Sequence, residues 1–421
     1  MSVSSIFNLV ALFITLAAAF GYLNHRWLKL PHTIGLVVIA LSVSLGILAA
    51  DVVFPQLGLE DSVRRALIDI DFEETLMKGL LSLLLFAGAL HVDLDALLSR
   101  RWAISVLATV GIVVSTAIVA GLTFFAYRIL GFEVPFAACL VFGALISPTD
   151  PVAVMGILKH VQVPETLRAK IAGESLFNDG VGVVLYTVLV SLAAGGGTTG
   201  ELSVVRAVEL LLIEVVGGLT LGLCAGYLAY RAIRSINEHN LEVLITLALV
   251  TGSYALASWL HLSGPLAVVV AGLFIGNHGK RWAMSPTTRE RIDTFWSLVD
   301  ELLNSLLFLA IGFEVVAIML TGPIIAAAAL AVPIVLAARW VSVAGPITLL
   351  GLRREFTRGA IPVLTWGGLR GGISVALALA LPPALFKPLL LATTYGVVLF
   401  SIIVQGLTIE RVVRRAVPAG T

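Results

Sequence analysis

Thirteen apolar windows run along the chain, at 3–22, 31–50, 75–93, 102–127, 134–158, 170–193, 204–230, 241–260, 264–277, 297–320, 322–350, 359–381 and 388–408, each bounded by polar residues or by Pro and Gly. Most approach the roughly 20 residues that a helix needs to cross about 30 Å of hydrocarbon. The pattern predicts an all-α polytopic membrane protein of about 13 transmembrane helices, and the long unalternating runs exclude a barrel. Composition agrees. Of 421 residues 59% are hydrophobic and 13% charged, with a mean hydropathy of +1.03, whereas roughly a quarter of a soluble domain is charged. The short connections leave no room for a soluble domain.

The net charge of +1 offers no polybasic surface for nucleic acid. Charge position is more informative. The odd-numbered gaps carry His25, Arg26 and Lys29; Arg100 and Arg101; Lys159, Arg168 and Lys170; Arg231 and Arg234; Lys280, Arg281, Arg289 and Arg291; Arg353, Arg354 and Arg358, and the tail adds Arg411, Arg414 and Arg415. The even-numbered gaps are glycine-rich or, over 51–74, acidic. The positive-inside rule then puts the N-terminus outside and the C-terminus inside. No basic n-region precedes the first window, so it is expected to be retained as a helix. Cys139 and Cys224 fall at opposite depths of different windows and read as small buried apolar residues.

The fifth and twelfth windows are the most polar and the most interrupted by Gly and Pro. They stand seven apart, an odd number of crossings, so an architecture of six helices, a linking seventh and six more relates its halves as an inverted repeat. Ionisable residues at bilayer depth are expensive, which makes each one a functional suspect. In SPTDPVAV, Asp150 lies between Pro148 and Pro151, so the helix is expected to unwind at Thr149 and Asp150, freeing carbonyls that can ligate a small cation. The alternative is a proline kink with Asp150 facing a loop.

Window six begins GESLFNDGVGVV, and the pairs Glu174/Asn178 and Ser175/Asp179, each four apart, stack on adjacent stripes of one helix face. Carboxylate, hydroxyl and amide oxygens are hard ligands for alkali or alkaline-earth cations, with no thiolate or imidazole to favour a transition metal. A solvated first turn is the plain alternative for Glu174. Arg339 in ARWVSV cannot shed its charge and needs a carboxylate, for which Glu174 is the best candidate, unless the side chain snorkels to the inner surface. In WGGLRGGIS four glycines surround Arg370 and suggest an extended crossing that sets its charge against the broken fifth helix; otherwise Arg370 is a loop residue that sets topology. Asp300, Glu301, Arg206, Glu209, Glu214 and Glu242 read as solvated or paired near segment ends. Glu314 is deeper and stays unassigned. All seven histidines lie at or near predicted loops, with His91 and His160 open as tuners of pH response.

SPTDP, then GESLFND, ARWVSV and the GLRGG run, in that order, resemble the cation:proton antiporter superfamily, specifically its NhaP/NHE-like sodium/proton exchangers, over essentially the whole transmembrane chain. The resemblance implies a dimerisation panel in two parts (1–93 and 241–320), a six-helix core ion-transport bundle in two parts (102–193 and 322–408), a linking helix (204–230) and a short cytoplasmic tail (409–421). It further implies a homodimer with elevator-like exchange and no cofactor. Asp179 would be the cation- and proton-binding carboxylate. Asp150, Ser175 and the Thr149 backbone would complete the site for the transported sodium, while Glu174 and Asn178 meet Arg339. Electrogenic relatives are similar but have two consecutive aspartates where this chain has Asn178 and Asp179, which points to the electroneutral, one-for-one branch. Ala87 stands where some relatives have a glutamate, and no long regulatory tail like that of animal exchangers is expected.

The expected function is therefore exchange of sodium or lithium for protons, in a prokaryotic inner membrane. Potassium/proton exchange and sodium-coupled uptake of an organic anion are the rival transport readings. An intramembrane hydrolase built on Ser175 would need a neighbouring base and a G-x-S-x-G elbow, and GESLF supplies neither. A channel is a further alternative, because broken helices also build filters.

Overall fold

The computed structural model describes residues 3–54, 58, 79–99, 101–150, 154, 165–194, 204–318, 321–351 and 359–416. The expectations resting on Arg100, Pro151, Lys159, His160, Arg353, Arg354 and Arg358, on the acids of 59–74 and on the glycine-rich gap at 195–203 lie outside those residues. Among the described residues the regular structure is helical, without strands, and eight helices are long and apolar enough to cross a membrane. Every window contains helix: α1 (Val3–Leu23), α2 (His32–Val53), α3 (Leu81–Leu90), α4a and α4b (Arg101–Ala108, Val110–Ile129), α5 (Phe136–Ile146), α6 (Glu165–Ala194), α7 (Val204–Arg234), α8 (His239–Trp259), α9 (Gly264–Phe274), α10 (Pro286–Glu314), α11 (Gly322–Gly351), α12a and α12b (Ala360–Trp366, Gly372–Leu379), and α13a and α13b (Lys387–Phe400, Gly406–Ala416).

Several helices begin where the sequence punctuates them. Ser263 and Ser285 each accept a backbone N–H of the first turn, from Leu266 (3.4 Å) and Thr288 (3.2 Å), and proline occupies the opening of both α9 and α10. That cap starts α10 eleven residues ahead of its apolar window, at 286 rather than 297. Arg289 and Arg291, expected in a loop, are therefore helical, and Asp300 and Glu301 lie inside α10 instead of near its end.

Other residues also depart from expectation. Helix α6 starts at Glu165, so Lys170 is not a loop residue; it is 2% exposed, packed into the bundle one turn before Glu174. Cys139 is buried as expected, but Cys224 is exposed, because α7 turns that side outward along with Leu223, Tyr227 and Leu228. Glu242 is buried and held by hydrogen bonds, its Oε1 accepting from Glu238 N (3.1 Å) and Thr288 Oγ1 (3.3 Å). Beyond 408 the chain stays helical to Ala416, with Ile409 and Val413 buried.

Apolar side chains gather in two main clusters. The larger draws on α4b, α5, α6, α11, α12 and α13a, with Ile34 and Val37 of α2 and Leu307, Phe308 and Ile311 of α10 added to it. The second joins α3, α7, α8, α9 and the first half of α10, and takes Leu176 from α6. A small third cluster ties α1 to α2 and α10. Lipid tails are as apolar as leucine, so close backbone approach rather than water exclusion drives this packing. The α4b–α5 contact shows it: a Cβ on Gly143 would lie 2.5 Å from Thr116 O and 3.1 Å from its Cα. Gly143→Val should therefore cost about 1–3 kcal/mol by overpacking, read as a lower melting temperature in detergent. A full-stability variant would mean that the two helices are not held this closely.

Candidate ion-binding site

Helix α5 stops at Ile146, and residues 147–150 continue without helical structure. Ser147 braces the break, its Oγ lying 2.7 Å from Gly143 O and 2.9 Å from Ser115 Oγ on α4b. The second break, residues 367–371 between α12a and α12b, lies against the first. Asp150 N donates to Leu369 O at 2.7 Å, so the two interrupted segments share a backbone hydrogen bond. Arg370 Nη1 donates to the carbonyls of Ser147 and Pro148, the latter at 2.8 Å, and satisfies acceptors that the end of α5 leaves open. Arg370 N is itself held by Ser401 Oγ at 2.8 Å. A side chain on Gly371 would collide with the Asp150 carboxylate, and one on Gly368 would sit 2.5 Å from Arg339 Nε.

Helix α6 supplies the polar face. Thr149 Oγ1 lies 3.0 Å from Ser175 Oγ and accepts from Asn178 Nδ2 at 2.8 Å, while Thr149 N donates to Asn178 Oδ1 at 3.3 Å. Asn178 thus clamps the unwound residue at both ends of its amide. It does not meet Arg339, contrary to expectation. The guanidinium has other partners: Nη1 bonds Glu174 Oε1 at 2.5 Å, and Nε and Nη2 donate to Leu364 O at 3.3 and 3.1 Å. Both members of that ion pair are buried.

Asp179, one turn beyond Ser175, is 4% exposed, and its Oδ1 has no hydrogen-bond partner. Asp150, half-buried, is near enough to act on it electrostatically. Asp179, Asp150, Ser175 and Thr149 therefore come together where the breaks meet, with Glu174, Asn178, Arg339 and Arg370 around them. Among the described residues no group of three or more His, Cys, Asp or Glu could hold a metal ion, and the groups gathered here are carboxylate, hydroxyl and main-chain oxygens, which are hard donors. Leu266 of α9 packs against Gly180, and Leu307 of α10 against Gly372.

Other candidates lie apart. His91 places Nδ1 2.7 Å from Ala87 O and Nε2 3.9 Å from Asp293, at the end of α3. Ala87 is fully buried and offers no acid, and Glu314, buried at the end of α10, is within electrostatic reach of Lys387. Sequence reasoning missed Ser401 and Gln405, the latter donating to Trp366 O at 3.0 Å. Their signal was available, two polar residues four apart in the otherwise apolar run 396–407.

Residues 13–415 match the family described as sodium/hydrogen exchanger, transmembrane. The chain is 45% identical over 416 residues to the Na(+)/H(+) antiporter NhaP of Pseudomonas aeruginosa, covering 97% of this chain and 96% of that one. It is 35% identical over 393 residues to the Na(+)/H(+) antiporter NhaH of Halobacillus dabanensis, covering 93% of each. Its fold is similar to that of the sodium proton antiporter MjNhaP1 from Methanocaldococcus jannaschii, with a TM-score of 0.76 over 99% of both chains at 19% identity, a likeness of fold alone.

Removing one partner of a buried ion pair strands the other, at about 3–5 kcal/mol. Arg339→Ala should lower the melting temperature accordingly, and adding Glu174→Gln should recover part of the loss. An unchanged melting temperature in the single variant would take the pair out of the site's support.

Proposed function

The chain belongs to the sodium/hydrogen exchanger family, and from that premise we propose that it exchanges one sodium ion for one proton across a bacterial cytoplasmic membrane, with Asp179 carrying each in turn. The observation that carries this reading is the buried Asp179 oxygen without a hydrogen-bond partner, beside Ser175, Thr149 and Asp150. A bare carboxylate is costly in such surroundings. Bound to a proton or to a sodium ion it is neutral, so either loaded form crosses and the empty one does not. Exchange follows from that prohibition.

The charges around the site support one-for-one exchange. Glu174 is neutralised by Arg339, and Asp179 keeps one buried oxygen without a hydrogen-bond partner, which supports a single carboxylate serving a single monovalent cation. Asn178, the neighbour of Asp179, adds no charge and is occupied with Thr149. The larger apolar cluster is built mainly from α4–α6 and α11–α13 and the second mainly from α3, α7–α9 and the first half of α10, which supports a core of α4–α6 and α11–α13 that moves against a panel of α1–α3 and α8–α10, with α7 linking them and α2 and α10 reaching into the larger cluster. Where the two meet near the site, leucines lie on glycines (Leu266 on Gly180, Leu307 on Gly372), contacts with little relief to resist sliding. Homodimerisation through the panel, the N-terminus outside and the C-terminus inside belong to the same reading.

Asp179→Asn should abolish sodium-driven proton movement in proteoliposomes while the protein still folds; retained exchange would refute the assignment. Competition at one carboxylate also fixes the sign of the pH dependence. The apparent KM for sodium should rise as pH falls, because protons then occupy the group that sodium needs, with the maximal rate recovered at high sodium. A KM flat across that range would mean that the two ions bind at separate places. Titration with sodium, lithium and potassium in the same assay distinguishes the cation carried.

A further inference from the structure

The guanidinium of Arg370 has more donors than partners. It carries N–H groups on three nitrogens and cannot shed its charge. Nη1 is spent on the carbonyls of Ser147 and Pro148, whereas Nη2 has no hydrogen-bond partner among the described residues, on a side chain only 2% exposed. A charged donor left unmade at such depth is costly. Arg370 also lines a small cavity bounded by α11, the α12 break and α13. We propose that this cavity binds a small monovalent anion of the chloride class, which accepts from Arg370 Nη2. The site is separate from the cation site, because none of Asp179, Asp150, Ser175 and Thr149 belongs to its wall.

The lining selects the charge. Its polar side chains are Arg339, Arg370 and Gln405, two guanidiniums and an amide, with no carboxylate among the described residues of the wall. Arg339 is balanced by Glu174, to which Nη1 bonds at 2.5 Å, and its Nε and Nη2 share Leu364 O. Gln405 Nε2 donates to Trp366 O at 3.0 Å. The surplus is therefore one of donors, and a ligand that only accepts suits it better than water, which has to donate as well. The rest of the wall is apolar, with Val332, Leu336 and Phe400 in it, so the attraction of guanidinium for anion acts in a low dielectric. There is room for a single small ion or molecule, which excludes phosphate and organic acids.

The backbone is shaped to the same juncture. Between α13a and α13b, Ser401–Gln405 form a π-helical turn, a departure from the α-helix that is frequent at functional sites. Its two ends hold the α12 break at two points: Ser401 Oγ accepts from Arg370 N at 2.8 Å, and Gln405 reaches Trp366 O. Gly368 completes the wall, where a side chain would sit 2.5 Å from Arg339 Nε. An anion on Arg370 thus ties α11, the α12 break and α13 together, and its first readout is the stability of the core.

The test is thermal unfolding of the full chain in detergent, at fixed sodium and ionic strength, in sodium chloride, sodium bromide or sodium gluconate, whose anion is too large for the cavity. Chloride and bromide should raise the melting temperature about 2–4 °C above its value in gluconate, and the rise should saturate with halide. Val332→Phe, which fills the cavity from its half-buried wall, and Arg370→Gln should each abolish that difference. In crystals of the wild type grown with sodium bromide, an anomalous peak should lie within hydrogen-bond distance of Arg370 Nη2; this measurement needs no variant and decides the matter where a variant does not fold. Equal melting temperatures in the three salts would overturn the proposal, as would a halide shift that survives in Val332→Phe. So would a bromide map without a peak beside Arg370, which would leave the cavity to water.

Discussion

Two helices that break inside a bilayer have no water to satisfy their loose ends, and the rest of the site follows from how they satisfy each other. Each unpaired backbone group at that depth costs several kcal/mol. The α5 break is closed by Arg370, whose guanidinium takes the carbonyls of Ser147 and Pro148, and by the hydrogen bond from Asp150 N to Leu369 O. A charged side chain from the second break thus caps the first. Neither interrupted segment is stable at this depth alone. The juncture in turn requires glycine: a side chain at 368 would meet Arg339 and one at 371 would meet Asp150.

That mutual dependence explains why the polar residues of α6 are divided as they are. Four hydrogen-bonding side chains on one face would compete for the same partners if each were free. Glu174 is committed to Arg339 and Asn178 to Thr149, and Ser175 shares a hydrogen bond with Thr149, while one oxygen of Asp179 is left without a partner. The first three fix the geometry of the break. Under the proposed exchange the last carries the ions, since an oxygen already bonded to a guanidinium neither needs a proton nor welcomes a second cation.

Much of this was legible in the sequence because the bilayer makes exceptions conspicuous. Prolines flanking Asp150, glycines around Arg370, and an arginine in an apolar window each violate a strong rule, so each marked its place. Helix existence followed from hydropathy for the same reason. What stayed hidden was governed by three-dimensional supply of partners. The acceptor that occupies the remaining Arg339 donors is a main-chain oxygen, Leu364 O, which has no signature in sequence. Asn178 was consequently assigned to the wrong partner. Lys170 looked like a cytoplasmic lysine because a lysine next to basic residues usually is one, and only the helix start at Glu165 shows that it turns inward. The early start of α10 was likewise masked by charge, since a helix that projects past its apolar window reads as a loop.

The leucine-on-glycine contacts give the site its barrier without giving it rigidity. Leu266 meets α6 at the residue following Asp179, and Leu307 meets the crossing segment next to the glycine that accommodates Asp150. Both are apolar side chains pressed on bare backbone, so under the proposed exchange they would exclude water and ions from the site without a hydrogen bond or ion pair that has to break when α9 and α10 shift against α6 and α12. A polar seal at either point would be stronger and slower. Dispersion contacts are individually small and are replaced as they are lost, so such an interface suits the proposed sliding of a core whose charged and hydrogen-bonded interior stays intact.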